Sequence, residues 1–336
     1  MISDGLKEKL TILDISEPMV SVYPFISTTL SIIQSENSYG WIMNNFLQLC
    51  SNGKAVNFYD FNHKLCPFLK IQRIDKEIIC SIYGDFSLGL AKMIQDGYYC
   101  YLLIDKHLID AYCQPLHKIH DMFVYGVDIK NRIFLIGDYI AGRYTRTTCS
   151  FEEMNKAALK LNYSQEWKLG FKGVVEFIKY DDKEKQDFSL QRVKDSLCDY
   201  INSRPTCSWN VMEFRDKYNE NEWFFGISIY KYIHSQIDKL QVDYVSNVDF
   251  HIIYEHKLHI ERVLKYIKEY KGIQDNNIQL LWHQVVTLSN QARNVFLLEK
   301  KRINNKRIQR LHDIYYELEE RERYVIPMII NFLCDL

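Results

Sequence analysis

A histidine and a carboxylate on either side of a short turn are the most reactive combination this chain offers. His120 opens the run His120-Asp-Met-Phe-Val-Tyr-Gly-Val-Asp128, and Asp138 lies near the end of the next run, 132–139. If the two runs pair through a turn at 128–131, the two side chains lie side by side. A carboxylate beside an imidazole holds one ring nitrogen, fixes the tautomer and leaves the other nitrogen as a base. The same pair can equally be a buried, satisfied hydrogen bond with no chemical task. Asp121 and Asp128 read as strand-end or turn residues rather than catalysts.

Other combinations are less specific. His251, His256 and His259 share a predicted helix with Glu255, but the spacing lacks HExxH and a third ligand, so a polar helix–helix contact is expected and no metal. The run from Glu299 to Arg310 is rich in Lys and Arg. It suits an acidic partner, or is simply a solvated helix junction balanced by Glu317, Glu319, Glu320 and Glu322. No aromatic residues interleave these charges, which argues against nucleic acid. No GxGxxG or GxxxxGK[ST] loop occurs.

The elements that must position these groups follow from periodicity. Residues 28–50 read as two helical stretches broken near 37–40, with Thr28 as a cap, and residues 86–96 as a helix ended by Gly97. The runs 98–105, 120–128 and 132–139, rich in Tyr, Val, Ile and Phe, predict a hairpin beside a third strand. Ser150 and Glu153 have capping-box spacing before a helix, and 173–180 is a further extended run. Beyond the polar stretch 181–188 the pattern is helical: 189–203, 223–241, 249–270, 277–300 and 304–334.

The pattern HDxxxYGxD…FxxxD resembles papain-like cysteine proteins of the bacteriocin-leader peptidase type and the related acyltransferases of butirosin-type pathways. The blocks YPFISTTLSII, WIxNNFLQL (41–49), CPFLKIQRI (66–74) and GYYCYLLID (97–105) resemble a Firmicutes subgroup found near nonribosomal peptide genes. The resemblance implies an α+β fold: a papain-like domain over 1–185 with a small antiparallel sheet, then an α-helical domain over 186–336. It implies His120 as base and Asp138 as its orienter, with a site between the first long helix and their strands. Pro24 stands where those families carry the nucleophilic cysteine. Ser27, Thr28 and Thr29 are weak substitutes, Cys66 and Cys149 remote ones, and Tyr23, Phe25 and Tyr125 are expected to bind.

Two functions follow from that resemblance. One is amide-forming acyl transfer on carrier-bound acyl or peptidyl thioesters, with the phosphopantetheine arm as part of the substrate and no cofactor. The other is a pseudoenzyme that binds a peptide or carrier protein. Composition limits the alternatives: 336 residues, 47% hydrophobic, with 42 basic against 43 acidic side chains and a net charge of −1. Such a balance gives no general pull toward nucleic acid or an anionic membrane. No apolar run reaches spanning length, and no leader-like stretch follows Met1–Lys9, so a cytoplasmic protein is expected, with an oligomer left open. Nine scattered Cys without a CxxC pair suggest a reducing compartment.

Overall fold

The structure, a computed structural model, describes residues 6, 9–33, 35–140, 142–161, 173–206, 223–273, 276–301 and 303–336. It is α+β, with a mostly antiparallel sheet and a helical C-terminal region. In chain order the first elements are β1 (Leu10–Ile12), α1 (Pro24–Ile33), α2 (Glu36–Met43), β2 (Leu49–Ser51), β3 (Val56–Phe58) and β4 (Leu69–Asp75). Then come α3 (Lys76–Tyr83), α4 (Phe86–Gln95), β5 (Tyr99–Asp105), β6 (Ile119–Asp128), β7 (Ile133–Ile140), β8 (Arg143–Ser150), α5 (Phe151–Leu159) and β9 (Val174–Tyr180). The remainder is α6 (Leu190–Ile201), β10 (Phe224–Phe225), α7 (Ile229–Lys239), α8 (Asn247–Lys271), α9 (Asn277–Glu299) and α10 (Asn305–Cys334). No helix among the described residues is long and apolar enough to cross a membrane.

The chain divides into two compact units, residues 1–35 with 63–185, and residues 36–62 with 186–336. The first contains an antiparallel sheet in the order β4-β9-β5-β6-β7-β8, with β1 also paired to β6. Strand residues alternate between faces. One face carries Leu102, Ile104, Met122, Val124, Ile136 and Phe177, packed with Phe86, Leu90, Phe151 and Met154 from α4 and α5. Full burial of each such side chain is worth about 1.5–3 kcal/mol. Val124 and Val127 share this core despite their odd spacing, because the register against β7 shifts at Tyr125.

Local chemistry explains the flanking helices. Asp85 accepts from the Leu88 N–H to start α4, and Ser150 with Glu153 forms the expected capping box of α5. Helix α1 starts earlier than the sequence suggests. Pro24 is its first residue, where a fixed φ suits the helix and the missing N–H costs nothing. Thr28 is therefore not a cap. It lies inside the helix and is buried. Gln34, on the amphipathic face expected for this stretch, lies outside the described residues.

The second unit corrects the expected boundary, since 36–62 belongs to it rather than to the first domain. Buried polar side chains tie this stretch down. Asn44 Nδ2 donates to the Asp187 carbonyl (3.1 Å) and Gln48 Nε2 to the Arg204 carbonyl (2.8 Å), while Asn45 Oδ1 accepts from Arg192 (3.0 Å). Strand β2 pairs with β3 and with β10. Phe46 packs against Phe58, Phe61 and Trp41, and meets the ring of His259 edge-on.

Candidate functional site

His120 and Asp138 both point to the α4/α5 face of the first unit's sheet. Across β5 and β6, His120 pairs with Ile104 and Met122 with Leu102, and those partners line the apolar core. On β7, Gly137 pairs with Phe123, which sets Asp138 on the Met122 side, diagonal to His120. The imidazole Nδ1 and the Asp138 Oδ2 are 4.0 Å apart, beyond hydrogen-bond reach. The carboxylate is engaged elsewhere. Its Oδ2 accepts from the Tyr112 hydroxyl (2.6 Å) and sits 3.2 Å from the Lys106 ammonium, and its Oδ1 accepts from the Tyr139 N–H (2.6 Å).

The orienting role expected of Asp138 falls to a backbone carbonyl. His120 Nδ1 donates to the carbonyl oxygen of Asp121 at 2.9 Å, which places the proton on Nδ1. Nε2 makes no hydrogen bond among the described residues, and the side chain is 26% exposed. Burial and the nearby Lys106 ammonium hold the imidazole below its usual range, against the opposing pull of Asp138. It is therefore neutral at pH 7, with one free basic nitrogen. Burial also lowers the Lys106 ammonium, partly offset by Asp138.

The first long helix is on the other face. Ser31 of α1 meets the Tyr144 hydroxyl at 3.3 Å, and a methyl group added at Gly137 would lie 2.5 Å from that hydroxyl. Tyr139, two residues beyond Gly137, donates to the carbonyl of Ser21, just before α1. The expected site between the first helix and the His120–Asp138 pair is thus not assembled, because successive strand residues point to opposite faces. Ser27 and Thr29 donate to the Pro24 and Phe25 carbonyls (3.1 and 2.9 Å), and all three hydroxyl residues, Thr28 included, are buried. Cys66 and Cys149 are also buried. Burial pushes the Cys66 thiol up to about 12 and the Cys149 thiol well above its usual range, which disfavours thiolate.

What faces α1 is a different set of groups. Asp121 is a strand residue and not a turn residue, and its Oδ2 accepts from the Tyr101 hydroxyl at 2.7 Å. Tyr101 pairs across the sheet with Glu176 of β9, whose side chain is wholly buried. Glu176 accepts from Arg73 Nε (2.7 Å) and Nη2 (2.5 Å) and from His63 Nε2 (3.2 Å). Burial raises this carboxyl, but the His63 and Arg73 contacts outweigh it and hold the group below the usual carboxylate range. The Phe25 ring lies 5.9 Å from His63 and 5.6 Å from Tyr23, so three half-buried rings run in a row. Tyr125 is buried farther along β6, against Phe123.

Two of the three α8 histidines, His256 and His259, are wholly buried. His256 is sealed, with Nε2 on the Leu47 carbonyl (2.8 Å) and Nδ1 against the Lys257 ammonium (2.9 Å). Lys257 forms a fully buried ion pair with Glu322 (2.8 Å), joined by the hydroxyls of Tyr200 and Tyr230. That is the polar helix–helix contact the sequence suggested. No group of three metal-ligating side chains occurs among the described residues. In the basic run, Arg307 and Arg310 pair with Glu299 beside a shallow concavity (3.0 Å each), and Arg302 lies outside the described residues.

Sequence reasoning missed Lys106, Tyr112, His63 and Glu176. Only Glu176 left a signal, as a lone carboxylate between Val175 and Phe177 in an apolar strand. No protein-family model matches the chain, and no curated protein is significantly similar to it.

Proposed function

We propose that the first unit is a papain-like module acting on acyl or peptidyl thioesters carried on a phosphopantetheine arm, in nonribosomal peptide or related natural-product assembly. It promotes amide formation without a covalent acyl-enzyme. The observation that carries this reading is the neutral His120 imidazole, with its proton fixed on Nδ1 and Nε2 unengaged on a partly exposed ring. A thioester is already activated, so aminolysis needs a positioned amine and a base. The amine nitrogen bonds to the carbonyl carbon and gives its proton to His120 Nε2. The carbon–sulfur bond then breaks, and the thiolate takes up that proton.

The test follows amide formation from an acyl-N-acetylcysteamine thioester or a loaded carrier protein, with glycinamide as amine. The variant His120→Gln should lose about a hundredfold in turnover, the lower end of what a positioned base supplies. Turnover equal to that of the unsubstituted protein would remove the assignment.

A second reading, a pseudoenzyme that binds a peptide or carrier protein, is favoured by one observation. Proline begins α1, and the His120–Asp138 pair lies on the opposite face of the sheet. Tight binding of a loaded carrier protein with no amide formed, and affinity unchanged in His120→Gln, is the outcome it requires.

A further inference from the structure

A carboxylate-anchored imidazole is present in the first unit, but on the other face from His120. His63 Nε2 donates to the wholly buried Glu176 carboxylate (3.2 Å), so the neutral form of the ring carries its lone pair on Nδ1. Nδ1 makes no hydrogen bond among the described residues and is not among the buried unpaired atoms. Arg73 holds the same carboxylate through two nitrogens, which fixes Glu176 in place without help from the imidazole. Beside the imidazole stand Phe25 and Tyr23, two half-buried rings stacked at an interplanar angle of 13°. One side of the location is therefore basic and fixed, and the other is an apolar aromatic platform.

We propose that His63, anchored by Glu176, is a second proton-accepting group, separate from His120, for thioesters whose apolar or aromatic acyl group stacks along Tyr23 and Phe25. This rests on the thioester reading above and adds a second base, on the α1 face, for that one class of acyl group. The incoming amine bonds to the thioester carbon and its proton passes to His63 Nδ1. The imidazolium so formed is stabilised by the Glu176 carboxylate, and the departing thiolate recovers the proton. Tyr23 and Phe25 thereby set specificity: aromatic surface against an aromatic or long apolar acyl chain.

Two measurements on the full chain test this. In the first, S-(3-phenylpropanoyl)-N-acetylcysteamine and glycinamide are the probes, with amide formation followed across pH. His63→Gln and Glu176→Gln should each lower kcat at least about tenfold, Glu176→Gln also displacing the acidic limb of the profile, because an amide cannot stabilise the imidazolium. Phe25→Leu should raise KM several-fold and leave kcat nearly unchanged. Full activity in His63→Gln with loss in His120→Gln overturns this inference and leaves the thioester reading standing.

In the second measurement, diethyl pyrocarbonate labelling of the unsubstituted protein is mapped by mass spectrometry, independent of turnover or of how the variants fold. His63 should be labelled at pH 7, about threefold or more slowly when the aromatic thioester is present. If no amide forms but this protection occurs, the reaction class fails and the site stands. An unlabelled His63, or one the probe does not protect, overturns the site.

Discussion

At His120 the Asp121 carbonyl does what a triad carboxylate does elsewhere, because a carbonyl only accepts and so fixes the proton on the nitrogen facing it. Asp138 is drawn away by stronger partners, the buried Tyr112 phenol and the buried Lys106 ammonium. The electrostatics can be checked by replacing Lys106. Burial and the Lys106 charge both hold His120 below its usual range, so an NMR titration should show a midpoint under 6.5. In Lys106→Met the cation is gone and the Asp138 charge is unopposed, so the midpoint should rise. A midpoint that stays put or falls would show that Lys106 is not a cause. Because the folded value is depressed, this histidine contributes stability above pH 6.5 that is lost as pH falls through its folded value. None of the partners of His120 or Asp138 was legible from spacing, since Lys106 and Tyr112 sit in short 3-10 turns without a motif.

Elements were legible where the signal was local. The capping box at Ser150 is written in four residues, and its reciprocal bonds are present: Ser150 Oγ accepts from the Glu153 N–H (3.1 Å) and Glu153 from the Ser150 N–H (2.6 Å). Ser150→Ala should cost about 1 kcal/mol in urea unfolding, and a loss below roughly 0.3 kcal/mol would show that the cap is dispensable. Strands β4 and β8 were missed for a physical reason. Both lie at sheet edges, and their polar residues, such as Lys70, Gln72, Arg146 and Thr148, hide the apolar alternation. The start of α1 was misplaced because a hydroxyl residue ahead of an apolar run looks like a cap. Pro24 sets the first turn instead, and Ser27 and Thr29 bond back to carbonyls within the helix.

At the scale of the whole molecule, the second unit stores titratable groups in its interior. His259 is sealed, and burial followed by the Arg262 charge lowers it to about 3; His256 is lowered well below its usual range by burial and Lys257. Both are neutral when folded and take up protons readily when unfolded. Their contribution is therefore full above about pH 6.5 and lost as pH falls toward the folded values, on the order of 5 kcal/mol for His259 by linkage. Thermal melts of the full chain, with hydrogen exchange read on α8, should show a large loss of stability between pH 7 and pH 4.5. His259→Phe should lose less over the same interval. An equal loss in both proteins would place the acid sensitivity elsewhere. Asn44, Asn45 and Gln48 act at this scale too, pinning 36–62 into a unit whose other residues begin at 186.

By itself, the sequence determined the class of fold, most of the helices and the central strands, the capping of α5 and the absence of a cysteine at the start of α1. Each depends on periodicity or on groups a few residues apart, and such interactions form wherever the chain goes. Only the tertiary structure decided which face of the sheet each polar group joins, so that His120 stands with Lys106 and Tyr112 while His63 and Glu176 stand with α1. Strand order and register set those neighbours, and both come from distant segments burying their apolar surface together.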